Sequence, residues 1–168
     1  MFKEFKCKAL LIVGAAAALL PASAGAQGVV TVKDVSLGLA QAIAQGAVEQ
    51  CRKDGFRVTA TVMNRAGQVM VVLRDEGASP HTVDTSRRKA YTSVALRRSS
   101  SELGQVISGN PGLAGLKDIS GVIVLGGGLP IRVGNEVIGS VGVAGSPTPD
   151  KDEVCVKAAL DQVADQLK

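Results

Sequence analysis

The stretch from Gly126 to Gly145 constrains the fold more than any other part of the chain, because a glycine run, a turn dipeptide and an apolar run follow without a break. Gly134-Asn135 lies between two apolar segments, and such a dipeptide supplies the positive φ that a two-residue hairpin turn requires. Residues 129–133 and 136–144 are therefore expected to pair as antiparallel strands. Gly139, Gly142 and Gly145 strip side chains from the second strand, which points to a bulge, or to another backbone or a ligand lying against the sheet.

The first 26 residues are set aside before a core is assembled. Lys3, Lys6 and Lys8 precede an apolar run from Ala9 to Leu20, too short to span a bilayer comfortably, and Ala22-Ser23-Ala24 and Ala24-Gly25-Ala26 offer small-residue cleavage sites. Residues 1–26 thus read as a secretory signal peptide, with 27–168 as one exported domain, periplasmic or extracellular, and no stable membrane span once the peptide is removed. Cys7 precedes the apolar run and leaves with it. Losing three lysines and one glutamate takes the formal charge from +4 to about +2, a bias too weak to suggest nucleic acid as a partner. Two cysteines remain, Cys51 and Cys155. In an oxidising compartment an even pair most simply forms a disulfide, closing a loop of about 100 residues; free thiols or a metal pair are the alternatives.

Apolar positions recur at three- and four-residue spacing over 34–51, predicting an amphipathic helix with Cys51 near its buried face. Residues 57–64 alternate, with Val58, Ala60 and Val62 on one side and Thr59, Thr61 and Met63 on the other, as in a strand. Residues 68–75 contain a nearly continuous apolar run, expected of a buried strand. Thr82 is a candidate cap for a helix over 83–96 with Asp84 in its first turn, and Ser99 with Glu102 forms a capping box for a short helix to about 107. Residues 122–125 read as a further strand, and 147–150 open a last helix with Asp150 and Glu153 as a capping-type pair. The order gives an α+β layered domain with a mainly antiparallel five-stranded sheet.

Five segments, Asp75-Glu76-Gly77-Ala78, Asp84 with Arg88-Lys89-Ala90-Tyr91-Thr92, Gly127-Gly128-Leu129-Pro130-Ile131, Val137 to Gly145, and Asp152-Glu153-Val154-Cys155, resemble the GlcG/HbpS family of haem-binding proteins, related to the C-terminal domain of PduO. The resemblance covers nearly all of 27–168. It implies a profilin-like α/β/α fold, assembly into homo-oligomers, and haem binding or an association with glycolate or diol metabolism.

His81 is the sole histidine and the candidate axial ligand for a haem iron, its alternative being a solvated loop residue. Tyr91 is a candidate phenolate ligand or a core-edge aromatic. Arg87, Arg88 and Lys89, with Arg97 and Arg98, suit haem propionates or another carboxylate, and equally a solvated or oligomer-contact face. Asp84 is a helix-terminal acid and a candidate site residue. Gly127, Gly128 and Pro130 complete the candidate cofactor-binding set; the glycine run offers backbone N–H groups to an anion or makes a tight connection beside a cleft, and it is not a P-loop, since no Gly-Lys-Ser/Thr follows. No catalytic triad or paired-carboxylate arrangement is legible. The expected function is an exported protein binding a small molecule, haem, with an enzyme or enzyme accessory acting on a glycolate-type carboxylate or a corrinoid as the alternative.

Overall fold

The computed structural model describes residues 28–168, and one compact unit runs from Val32 to Lys168. The expected signal peptide lies outside the described residues. Among them, no helix is long and apolar enough to cross a membrane.

Helix α1 (Leu37–Lys53) begins where Ser36 Oγ accepts a hydrogen bond from Leu39 N at 3.2 Å, so the cap lies two residues beyond the expected start. Leu39, Ala40, Ile43, Ala44, Ala47, Val48 and Cys51 are all buried, as their spacing predicts. Strands β1 (Thr59–Asn64) and β2 (Val69–Arg74) form the first hairpin. Helices α2 (Thr82–Leu96) and α3 (Ser100–Gly109) follow, then a 3-10 segment at Pro111–Asp118. The hairpin of β3 (Gly128–Val133) and β4 (Glu136–Ala144) turns at Gly134-Asn135, with Gly134 at φ 57°. Helix α4 (Pro149–Gln162) closes the fold.

The sheet has the order β2-β1-β4-β3 and every neighbouring pair is antiparallel. It has four strands, which corrects the expected five. Residues 122–125 form no strand because side chains of α2 take their backbone groups: Ile123 N donates to Thr92 Oγ1 at 2.9 Å, and Arg88 Nη2 donates to Val122 O at 2.7 Å. A second correction concerns which hairpin strand is covered. The apolar run of β2 is an edge strand in which Val71 and Leu73 are partly buried against the core while Val69 and Val72 are 46% and 43% exposed. The alternating β1 is the buried one. Its Thr59–Thr61 side lies under α2, where Thr59 Oγ1 meets Thr82 Oγ1 at 2.7 Å and Thr61 Oγ1 meets Ser86 Oγ at 2.8 Å. Paired hydroxyls satisfy one another at these two contacts, while Ser93 Oγ, also buried on α2, has no hydrogen-bond partner among the described residues.

One side of the sheet carries α1 and α4, packed through Ile43, Ala47, Val156 and Ala159 onto Ala60, Val62, Val141 and Val143. The other carries α2. Cys51 and Cys155 are bonded as expected, joining α1 to α4 with Cα atoms 5.4 Å apart. The bulge foreseen in the glycine hairpin is present at Ile138, since Ile131 pairs with Gly139 and Arg132 with Val137.

Thr82 does not cap α2. His81 occupies the cap position without a side-chain bond, and the Thr82 hydroxyl donates to Ser79 O at 2.7 Å. The Ser99 cap is present, accepting from Glu102 N at 3.0 Å. Glu153 does not cap α4, which follows Thr148; its carboxylate instead accepts from Ser101 Oγ at 2.8 Å.

Asp75 is buried at the start of the β2–α2 loop, where Arg52 reaches it with two nitrogens at 2.6 and 3.1 Å and Arg57 approaches at 3.3 Å. The hydrogen bonds from Arg52 hold its carboxyl far below the usual carboxylate range. A depressed folded pKa contributes stability that is fully present above the unfolded value near ~3.9 and is lost as pH falls. Denaturant titrations from pH 6 to 2 are therefore expected to show an acid limb that flattens in Asp75→Asn. At neutral pH that variant should lose about 1–3 kcal/mol, the range for a charge-assisted hydrogen bond, discounted because the arginines are half exposed.

Candidate functional site

What approaches the glycine strand is the protein's own helix. A Cβ on Gly142 would collide with the carbonyl oxygen of Ser86 and lie 2.5 Å from the amide nitrogen of Ala90, and Ser140 Oγ donates to Ala90 O at 2.7 Å. The space between α2 and the glycine strand is therefore closed at Gly142 by backbone packed on backbone. Of the groups expected against this strand, another backbone is the one present at Gly142, and it belongs to α2.

The open cleft lies instead at the N-terminal end of α2. His81, Thr85 and Lys89, spaced by four and so on one helix face, form one wall. Gly145, Ser146, Pro149 and Asp152, from the β4–α4 connection and the first turns of α4, form the other, enclosing about 290 Å³.

Lys89 and Asp152 form an ion pair at this cleft although each is almost wholly buried, at 1% and 3% exposure. Lys89 Nζ donates to Asp152 Oδ2 at 2.6 Å and to Val143 O at 2.9 Å. The other carboxylate oxygen accepts from Ser146 N at 3.0 Å and from Ser146 Oγ at 2.6 Å. Burial pushes the Lys89 ammonium below the usual lysine range, and the charge and hydrogen bond of Asp152 oppose that shift. Gly127 lies beside the pair at φ 107°, and a Cβ on it would be 2.7 Å from Asp152 Cβ and 3.0 Å from Lys89 Nζ.

Of the expected site residues, His81 and Lys89 line the cleft. His81 is exposed, and among the described residues no hydrogen bond involves its imidazole. Asp84 and Arg87 pair with each other at 2.7 Å on the outer face of α2. Arg88 anchors the 122–123 backbone. Tyr91 is partly buried with Met63, Ala90, Val94 and Val137, away from the cleft wall. Gly128 N donates to Ser100 Oγ at 2.9 Å, so this amide is already satisfied within the fold, and Pro130 pairs with Ser140 on the edge strand β3. Sequence reading grouped Lys89 with its arginine neighbours, as a partner for a ligand carboxylate or part of a solvated face, and passed over Asp152 as a site residue. The available signal was helical phase: Lys89 stands three and one residues from the buried Ser86 and Ala90.

The family model described as "Haem degrading protein HbpS-like" matches residues 35–161, spanning every strand and the cleft walls. The chain belongs to the HbpS-like family. A crystal structure of a double mutant of Streptomyces reticuli HbpS is 34% identical, covers 88% of this chain and 99% of that chain, and superposes with a TM-score of 0.78. Protein GlcG of Escherichia coli K12 is 28% identical over 110 residues, covering 66% of this chain and 81% of that protein. A crystal structure of a PduOC–haem complex has a TM-score of 0.70 over 76% of this chain and 94% of that chain; at 24% identity it shows the shared fold alone. HbpS-like membership accounts for the α+β architecture with helices on both faces of an antiparallel sheet, and within it the His81 cleft is where this chain gathers its polar groups.

Proposed function

We propose that the protein binds haem after export, with His81 as the iron ligand at the rim of the cleft. The observation that carries this reading is the HbpS-like match over 35–161. The donor chemistry agrees with it: an exposed imidazole at an open cleft is the kind of nitrogen ligand that haem iron takes. The cleft, at about 290 Å³, is near the lower bound of about 300 Å³ for ligand pockets, so it suits the edge of a macrocycle and leaves the rest to a second copy in a homo-oligomer. When bound, the iron would supply the redox and ligand chemistry and His81 would hold it at the cleft; Arg87, paired with Asp84, and Arg88, bonded to Val122 O, stand on α2 outside the cleft lining. Export is supported by the Cys51–Cys155 disulfide, a bond that persists in oxidising compartments.

Haemin titration of the protein lacking residues 1–26 tests the proposal. Wild type is expected to give a saturable Soret shift, and His81→Ala to weaken binding by about tenfold or more, the equivalent of ~1.4 kcal/mol. Absence of any Soret shift removes the haem reading. Unchanged affinity in His81→Ala removes the ligand assignment while leaving binding intact.

A further inference from the structure

We propose that Lys89 and Asp152 form a carbonyl-capturing site at the cleft, where the Lys89 amine condenses reversibly with a small hydroxy-aldehyde or hydroxy-ketone. The proposal is separate from haem binding and does not depend on it.

Four features lead to it. The pair borders an open cleft, a position that a purely structural ion pair does not require. Asp152 is locked in orientation: Ser146 N and Ser146 Oγ occupy Oδ1, which leaves Oδ2 on Lys89 Nζ at 2.6 Å as a positioned proton acceptor. Gly127 carries no side chain to displace the pair, a Cβ there standing 3.0 Å from Nζ and 2.7 Å from Asp152 Cβ. Finally, Ser79, Thr85, Ser146 and His81 surround the cleft with donors and acceptors suited to hydroxyl groups. Burial of the ammonium acts in the same sense, because a lysine that has lost its water gives up its proton more readily and becomes a usable nucleophile. The volume of about 290 Å³ restricts the partner to a small molecule.

The step balances without an added oxidant or reductant. Asp152 takes a proton from the Lys89 ammonium. The freed lone pair attacks the carbonyl carbon, forming the C–N bond, and the proton left on nitrogen moves to the former carbonyl oxygen to give a carbinolamine. Asp152 returns its proton to that hydroxyl, which departs as water while the nitrogen lone pair forms the C=N bond. The product is an iminium that retains the positive charge beside the restored carboxylate, so the buried pair stays neutral overall.

Glycolaldehyde with sodium cyanoborohydride, followed by peptide mass mapping of the folded protein, tests the site directly. Reductive labelling is expected to favour Lys89 over the exposed Lys117 and Lys157 severalfold or more at neutral pH, since Asp152 is positioned to take the proton from its amine and neither surface lysine borders the cleft. Thr85→Val, whose partly exposed side chain can be changed without opening the core, should slow Lys89 labelling and leave Lys117 and Lys157 unchanged. Labelling confined to the surface lysines, or Lys89 labelled no faster than they are, overturns the proposal. Because wild type carries the decisive measurement, a failure of Asp152 variants to fold does not affect it. The haemin titration reads the Soret band and reports on the haem proposal alone.

Discussion

Asp152→Ala is expected to lose about 3–5 kcal/mol of folding stability, the range for removing one member of a buried ion pair. The loss comes from what stays behind. Lys89, at 1% exposure, would keep an ammonium with only Val143 O as its partner, and the Ser146 amide and hydroxyl would lose their common acceptor. For a unit of this size that corresponds to a fall in Tm of about 10–20 °C. Calorimetry or thermal melts followed by circular dichroism would measure it. The double variant Lys89→Met with Asp152→Leu should recover most of the deficit, because apolar replacement of both partners removes the uncompensated charge. The pH dependence has a definite sign. Burial places the folded ammonium's pKa below the unfolded value near ~10.4, so the unfolded chain binds the extra proton and stability rises with pH through that interval. Asp152 opposes the shift, so its removal should widen the interval. A loss below about 1 kcal/mol would show that the ammonium reaches water through the cleft.

Replacing both Cys51 and Cys155 by alanine is expected to cost about 2–5 kcal/mol, with ~4.7 kcal/mol the chain-entropy figure for a loop of this length. The bond spans 104 residues and ties the first helix to the last, so it restricts the unfolded chain along almost the whole domain. Its loss should leave the native fold in place. Both sulfurs are fully buried in a helix pair that still has Ala44, Ala47, Val156 and Ala159 in the same core cluster. The effect should appear as a lower denaturant midpoint together with a larger m value, because the uncrosslinked denatured state expands and exposes more surface. Reductant added to native protein should act slowly, at a rate set by opening of the α1–α4 contact. An unchanged midpoint would mean that strain in the folded state offsets the entropy gained. Either substitution alone removes a large share of the 5–15 kcal/mol that holds a typical domain together.

Much of the fold was legible where a local preference acts alone. The spacing of Leu39, Ile43, Ala47 and Cys51 located α1, and Gly134-Asn135 located the β3–β4 turn. The limits appeared where a segment's partner decided its state. The 122–125 run has strand-forming residues, yet Thr92 and Arg88 bind its backbone before a neighbouring strand can. The apolar β2, expected to be buried, is the partly exposed edge and the alternating β1 is covered on both faces, because coverage depends on position in the sheet and on which helix lies above. For the site, His81 could be nominated from its chemistry as the sole histidine and Lys89 from its charge, while Asp152 as the partner of Lys89 could not.

By itself the sequence determined the helices with a clean apolar stripe, the glycine hairpin, the cysteine pair and the family, all of which rest on interactions within a few residues or on motifs readable in order. Tertiary structure alone decided that the group lying on the glycine strand is α2, that the cleft opens at the end of that helix, and that Lys89 finds Asp152. The reason is distance along the chain. Lys89 and Asp152 stand 63 residues apart, and no local preference of either segment encodes the other. Their meeting follows from α2 and α4 both being anchored to β4, where the missing side chain of Gly142 lets one helix backbone settle onto the strand.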